Sequence, residues 1–243
     1  MSSLSQLPTP SFFPGDTRLH ALVSYGYSSD EAVARLLFAV SAQQGPAALA
    51  QAVDARNEAG QAPLHLAAQC AYFRGVELLL AHGADANAQS PSGMTALMWS
   101  SACGAINEVR LLLGAAPSSA DLNARAIDGR TALLVAARSA SVAGTGVVAA
   151  LLRAGAGAEA SERDEALRLA CLHGHTEAVF ELLEYGASAN SRDAFGRSPL
   201  WLAACANHLD AVQRLLARGA DPGSRDAFGR SPLDAAVRAA ASH

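Results

Sequence analysis

The chain repeats itself at an interval of 33 residues, and this interval restricts its possible folds more than any single residue does. Glycines recur at this spacing, from Gly60 to Gly93 and again from Gly196 to Gly229. The ten residues 191–200, SRDAFGRSPL, reappear without change one interval later. A period of about 20 to 50 residues is typical of proteins whose short structural units stack in a row. The sequence therefore predicts a repeat array and not a single closed globule.

The repeats also share a core motif. Residues 62–68 read APLHLAA, and degraded copies follow at 95–97 (TAL), 131–133 (TAL) and 198–200 (SPL). In this motif and in the 33-residue length, the sequence resembles the ankyrin-repeat family. The unit of that family is a β-turn plus two helices with a T-P-L-H-x-A signature. The resemblance covers the chain from about residue 57 onward. It implies an all-α fold, namely an α-solenoid with short β-hairpin fingers, containing about five to six repeats and a helical N-terminal cap.

The spacing of helix-starting and helix-ending residues divides the chain into predicted segments. Asp30 and Glu31 are acids suited to the first turn of a helix, and Gly45-Pro46 restarts one with proline in its first position. The predicted segments are an irregular arm over 1–28 and a repeat domain over 29–243, the latter divided into cap helices at 29–56, repeats at 57–89, 90–125, 126–160, 161–192 and 193–225, and a partial repeat at 226–243.

The fourth repeat is predicted to differ from the others. It lacks a finger glycine, and Ser161 and Asp164 have the spacing of a capping box. We therefore expect its first helix to begin early and its finger to be lost or stunted.

Composition narrows the possible partners and compartments. The net charge of -4 argues against a general nucleic-acid binder, which needs a basic excess to displace counterions from phosphates. No apolar run approaches the roughly 18 residues of a membrane helix, and no secretory signal is apparent, so we expect a cytoplasmic protein. All 18 basic residues are arginine. The absence of lysine fits a GC-rich genome, and it also fits an effector that avoids ubiquitination in a host cell and is secreted without a cleavable signal.

The sequence predicts no catalytic centre, cofactor or metal. Without lysine there is no phosphate-binding P-loop, and the G-x-S-x-G motif of a hydrolase nucleophile is absent. Cys171-x-His173-x-His175 contains residue types that bind zinc, but residues two apart in a helix do not share a face. We expect these side chains to be structural and the protein not to be an enzyme.

The resemblance supplies a candidate binding surface. In ankyrin-repeat proteins the finger tips and the exposed side of the first helices line a concave groove, and the same positions here are expected to bind a protein partner. They are Gln61, Met94, Asp128, Arg130, Arg138, Phe195, Arg197, Phe228, Arg230 and Arg238.

The candidate positions change character along the chain. Arg130, Arg197 and Arg230 form a predicted arginine ladder interleaved with Phe195 and Phe228, and arginine and aromatic residues are enriched at binding hot spots. This pattern fits a partner with an acidic or extended segment. Alternatively, each finger arginine pairs with an aspartate of its own or the next finger.

The signature histidine is another point of departure from the family. His65 retains it, whereas Trp201 and Asp234 replace it in later repeats. In the family this histidine ties adjacent loops together, so the loops after the first repeat are expected to be less firmly held. Trp201 is either packed between repeats or displayed at the surface.

The predicted function is a non-enzymatic protein–protein interaction module. The alternative is a regulatory or targeting subunit of an enzyme, including a bacterial effector acting in a host cell. The expected state is a monomer that binds neither nucleic acid nor membrane. The last repeat has only one helix, and the apolar edge that this leaves could also support self-association.

Overall fold

The computed structural model describes residues 18–24, 30–114, 119–139 and 146–241. Within these ranges there are thirteen helices and no β-strand, and none of the helices is both long and apolar enough to cross a bilayer. The helices are α1 (Arg18–Ser24), α2 (Asp30–Val53), α3 (Pro63–Gln69), α4 (Phe73–Ala81), α5 (Ala96–Cys103), α6 (Ile106–Gly114), α7 (Ala132–Ser139), α8 (Val147–Arg153), α9 (Ala160–His173), α10 (Thr176–Glu184), α11 (Pro199–Cys205), α12 (Leu209–Ala217) and α13 (Pro232–Ala240).

The chain divides into two compact units. Unit 1 comprises Met1–Trp99 and Leu111–Ala120, and unit 2 comprises Ser100–Arg110 and Asp121–His243. Most of the predicted site residues lie in unit 2.

Unit 1 contains α2, which covers most of the residues predicted to form an N-terminal cap. The helix α2 is broken at Gly45, whose φ of 83° is left-handed, and Pro46 begins its second half, as the sequence predicts. However, α1 lies within the predicted irregular arm, so that prediction is wrong for residues 18–24. Leu19 and Val23 are four residues apart and share one buried helix face, and α1 packs against α3. The rest of the arm, residues 1–17 and 25–28, lies outside the described residues.

Unit 2 stacks helical hairpins in two layers. The first helices α7, α9, α11 and α13 pack one against the next, and the second helices α8, α10 and α12 do the same. Leu167 on α9 and Leu200 on α11 are buried between neighbouring first helices, at 0% and 2% exposure. The α-helical hairpins therefore shelter each other's apolar faces, which is how repeat arrays obtain their stability.

Five fingers of identical backbone geometry precede first helices. In each five-residue finger the first N–H donates to the last carbonyl oxygen, for example from Asp193 to Arg197 at 3.1 Å and from Asp226 to Arg230 at 2.9 Å. The fourth residue is always glycine with a left-handed φ between 70° and 81°. The fingers span residues 57–61, 90–94, 126–130, 193–197 and 226–230. They confirm the predicted phase of the repeat.

The fourth repeat has no such finger, because its first helix begins early. The helix α9 has 14 residues, against 8 in α7 and 7 in α11. The predicted capping box is wrong: the N-cap residue is Glu159, and the Asp164 carboxylate instead accepts the Ser188 backbone N–H at 2.7 Å. In the extra turn, buried Glu162 accepts a hydrogen bond from the Thr131 hydroxyl. A side chain thus links the third and fourth repeats where a finger would otherwise lie.

Candidate partner-binding site

The fifth and sixth fingers, which have the same sequence, form two copies of one side-chain arrangement. In the fifth finger one Asp193 oxygen accepts the backbone N–H groups of Phe195 and Arg197, each at 2.9 Å, while the other oxygen accepts Arg197 Nε at 2.7 Å. In the sixth finger Asp226 makes the same three contacts with Phe228 and Arg230 at the same distances. Each aspartate therefore shapes its finger and holds the following arginine in a fixed position.

Every arginine of the predicted ladder is paired in this way. In the third finger the acid lies next to the glycine, and Arg130 Nε donates to Asp128 at 2.5 Å. The hydrogen bond from Arg130 lowers the pKa of Asp128. Burial opposes ionisation of Asp193 and Asp226, but their hydrogen bonds outweigh it and the pKa of each is lowered. All three acids are thus ionised at neutral pH, and the ladder carries no excess positive charge.

The two identical fingers meet at Trp201, which occupies the signature-histidine position of the fifth repeat. The guanidinium carbons of Arg197 and Arg230 lie 5.6 Å and 5.5 Å from the Trp201 ring centroid. The same two carbons lie 4.9 Å from the Phe195 ring and 4.7 Å from the Phe228 ring. Distances of up to about 6 Å are those of cation–π contacts. We call these five residues the finger stack.

The finger stack has a buried centre and exposed ends. Trp201 is 8% exposed, so it is packed and not displayed, whereas Phe195 is 56% and Phe228 70% exposed. Arg197 and Arg230 are partly exposed between them. A partner would therefore meet two phenylalanine rings and the outer edges of two guanidinium groups.

The remaining predicted site residues are less uniform. Met94 is buried at 8% exposure, so the expectation that it is presented at a finger tip is wrong. Gln61 is half-buried, and its carbonyl oxygen accepts His20 Nε2 at 2.9 Å in unit 1. Arg138 and Arg238 are exposed on the first helices α7 and α13 of unit 2. The structure brings together the residues of the last two fingers.

A second set of arginines stiffens the fingers and was missed by the sequence analysis. Arg192 Nη1 donates to the carbonyl oxygen of Gly196 in its own finger and, at 2.6 Å, to that of Arg225 in the next repeat. Arg56 makes the same pair of contacts, with Gly60 in its own finger and with Gln89, which lies 33 residues after Arg56. The signal was present, since Arg56, Arg125, Arg192 and Arg225 each lie four residues before a finger glycine.

These contacts correct the expectation that loops after the first repeat are loosely held. His65 does tie its loop, because its ring accepts the Ala62 N–H and donates to the Ala88 carbonyl oxygen at 2.9 Å. In the fifth repeat other residues take over: the Ser198 hydroxyl caps α11 and lies 3.2 Å from the Ser224 hydroxyl. Asn190 also bonds the Gly219 carbonyl oxygen and the Asp221 N–H. Hydrogen bonds between adjacent repeats therefore hold the backbone around the finger stack in place.

The histidines of the fourth and fifth repeats cluster beside α7. Gly174, with φ of 75°, ends α9, and the rings of His173 and His175 come to 5.9 Å, nearly parallel. His173 and His175 therefore do face each other, contrary to the expectation for residues two apart in a helix. His175 Nε2 donates to the Arg138 carbonyl oxygen and His208 Nε2 to that of Leu172, so two of these histidines join successive repeats. Cys171 is buried, and no group of three metal-binding side chains occurs within the described ranges.

This cluster predicts that acid destabilises unit 2. Partial desolvation of the exposed His173 ring, followed by the charges of His175, Arg138 and His208, lowers the pKa of His173. When the pH falls below about 6.5, the ordinary pKa of histidine, His173 binds a proton more readily in the unfolded chain than in the folded one. The free energy of unfolding therefore falls as the pH drops. His173→Gln should therefore unfold at nearly the same temperature as the parent at pH 7.5 and at a higher temperature at pH 5.5. Thermal melts followed by circular dichroism test this, and parallel pH dependence of both proteins would contradict it.

A comparison with known families identifies the repeat. A family model described as ankyrin repeats, in three copies, matches residues 64–164, 139–226 and 167–242. The chain belongs to the ankyrin-repeat family. The predicted fold class, an all-α repeat array, is confirmed. Ankyrin repeats are in general modules for protein–protein interaction, and their fold is typically non-enzymatic.

Part of the chain is similar in sequence to Notch proteins. It is 32% identical over 156 residues to Neurogenic locus notch homolog protein 1 of Xenopus tropicalis and 40% identical over 84 residues to the Drosophila melanogaster Notch protein. These matches cover 63% and 35% of the chain but only 6% and 3% of those relatives. The chain thus spans less than a tenth of their length.

Two solved ankyrin-repeat domains have the same fold. The ankyrin domain of Bcl-3, described as a unique member of the IkappaB protein family, has a TM-score of 0.71 at 31% identity, over 92% of this chain and 95% of that one. The human ASB11 ankyrin domain has a TM-score of 0.74 at 23% identity, over 91% and 92% of the two chains. The latter likeness concerns the fold alone.

Proposed function

We propose that this ankyrin array is a non-enzymatic binding module and that unit 2 contacts a protein partner through the finger stack. The observation that carries the proposal is the pair of exposed rings, Phe195 and Phe228, each fixed over an Arg–Asp pair. Large exposed aromatic side chains on a rigid backbone lose little entropy on binding, and aromatic and arginine residues dominate interface hot spots.

The charge balance favours an extended partner segment over a strongly acidic one. Asp193 and Asp226 already neutralise Arg197 and Arg230, so the field outside the stack is weak. The aspartate oxygens accept hydrogen bonds from their own finger and have little capacity for donors of a partner. A segment that packs apolar groups on the rings and offers acceptors to the arginines fits these properties.

The test is loss of binding without loss of fold. We expect Phe195→Ser with Phe228→Ser to weaken partner binding by at least about tenfold, because two hot-spot rings are removed. Leu209→Ser is the matched control: Leu209 is 67% exposed but lies on the second helix α12, away from the fingers. Partners are captured from a lysate with the parent protein, and binding of the two variants is then measured with a purified partner. Equal binding by all three folded proteins would contradict the proposal.

A more specific role for the protein in the cell is a second proposal, which does not depend on the finger stack. A role as a regulatory or targeting subunit, in the cytoplasm or in a host cell, is suggested by the absence of lysine and by the N-terminal residues, most of which lie outside the described ranges. Such a subunit would also act by binding a protein. Deletion of residues 1–17 separates the two roles, since it should abolish targeting or inhibition and leave binding by the finger stack intact.

A further inference from the structure

We infer that the finger stack receives a proline-rich segment in the polyproline II conformation, with its apolar contacts spaced three residues apart. This inference rests on the proposed function and specifies the partner. It follows from three properties of the stack: two equivalent subsites, the distance between them, and the hydrogen-bonding groups that they leave available.

The two subsites are equivalent because they lie in two segments of identical sequence, 191–200 and 224–233. Each consists of one exposed phenylalanine ring and one guanidinium group held by Nε to its aspartate at 2.7 Å. Trp201 lies between them and contacts both guanidinium groups. A ligand that fits one subsite therefore meets the same surface again at the next repeat.

The interval between the subsites is set by the repeat. Helices that pack against each other lie about 8–10 Å apart, and α11 packs directly on α13. The fingers agree, since the Ala227 N–H donates to the Phe195 carbonyl oxygen at 2.9 Å and each finger contributes two chain segments spaced by about 4.8 Å. The ligand must therefore present equivalent groups about every 9–10 Å.

Regular peptide conformations differ in their ability to do this. A β-strand presents the same face every two residues, or roughly 6.7 Å, so its side chains fall out of step with the fingers. A polyproline II helix rises about 3.1 Å per residue with three residues per turn, so one edge repeats at about 9.3 Å. An α-helix repeats a face at about 10.5 Å over seven residues, but its backbone carbonyl oxygens are already bonded.

The hydrogen-bonding groups of the finger stack favour a polyproline II segment over an α-helix. Among the described residues, Nη1 of Arg197 and of Arg230 makes no hydrogen bond, so the stack offers donors. Its carboxylate acceptors are largely used, because Asp193 and Asp226 each receive three of the about four hydrogen bonds that a carboxylate can accept. A polyproline II segment has free carbonyl oxygens, and its prolines lack N–H groups. Aromatic-lined grooves are a recognised mode of binding such segments.

Binding of synthetic peptides to the intact protein tests the inference. The probe is a fluorescein-labelled peptide of four Pro-Pro-Leu triplets, and the matched control has the same composition with leucine at every second position. We expect the triplet peptide to bind at least about fivefold more tightly, with Phe195→Ala and Phe228→Ala each weakening it by about fivefold or more. Leu209→Ala should change the dissociation constant by less than about twofold.

Two results would overturn the inference. One is equal affinity for the two peptides, and the other is no anisotropy change with the triplet peptide up to about 1 mM protein, the range of very weak binding. If either occurs while captured protein partners still depend on Phe195 and Phe228, the ligand conformation is wrong and the proposed binding face stands. If the phenylalanine variants affect neither ligand, the proposed function fails as well.

Discussion

Replacing Leu200 with alanine is expected to lower the free energy of unfolding by about 3 kcal/mol, within the roughly 2–5 kcal/mol found for buried leucines. Leu200 is 2% exposed on α11, which packs between α9 and α13. Removing its branched end leaves a cavity that the neighbouring first helices cannot fill without shifting. Urea unfolding followed by circular dichroism measures the change.

Leu233 provides an unusually close control. It ends the second copy of the ten-residue segment, as Leu200 ends the first, but it lies on the last helix α13 and is 71% exposed. Leu233→Ala should therefore change stability by less than about 0.5 kcal/mol. Local sequence is the same at both sites, so the difference measures what the next repeat contributes. Equal losses for the two variants would contradict stabilisation by stacking.

The second large effect is expected at Gly196. Its φ of 71° is left-handed, and a Cβ there would lie 3.0 Å from the Ala227 nitrogen and 3.3 Å from the Asp226 carbonyl carbon. Those backbone atoms belong to the next finger, whose Ala227 N–H bonds the Phe195 carbonyl oxygen. Gly196→Ala should cost about 3 kcal/mol, because left-handed strain adds to displacement of the neighbouring finger. It should also weaken partner binding, since the two subsites move apart.

Gly229 is the matched position in the sixth finger. Its φ is 75°, and a Cβ there would meet no atom within 4 Å. Gly229→Ala should therefore cost only the left-handed strain, about 1–2 kcal/mol. Thermal and urea unfolding of the two variants give the comparison. If Gly229→Ala proves as costly as Gly196→Ala, the contact between neighbouring fingers is not what restricts Gly196.

Features that recur at every repeat were predictable from the sequence. The finger glycines, the prolines that begin α3, α11 and α13, and the buried Leu64 and Leu200 all lie where the 33-residue period places them. The early start of α9 was also predicted, because the absence of a finger glycine breaks the period at one place. The period identifies the residues with which each repeat packs against the next, and these residues form the core.

Features that depend on particular neighbours were not predictable. Met94 follows its finger glycine, as Arg197 and Arg230 follow theirs, and the finger sequence alone does not show that its side chain is buried. The Trp201 contacts with two arginines require the distance between adjacent repeats, which one repeat alone does not contain. The helix α1 was missed because it is only seven residues long, too short for its apolar spacing to repeat. The 33-residue period therefore predicts the fold, whereas the candidate site depends on side-chain contacts that the period does not contain.

Hydrogen–deuterium exchange with and without a saturating, captured protein partner tests the proposed binding face most directly. We expect protection to rise in residues 193–201 and 226–233, which contain the finger stack, and to be unchanged in α10 and α12. Protection confined to α10 and α12, with the two fingers unaffected, would contradict it.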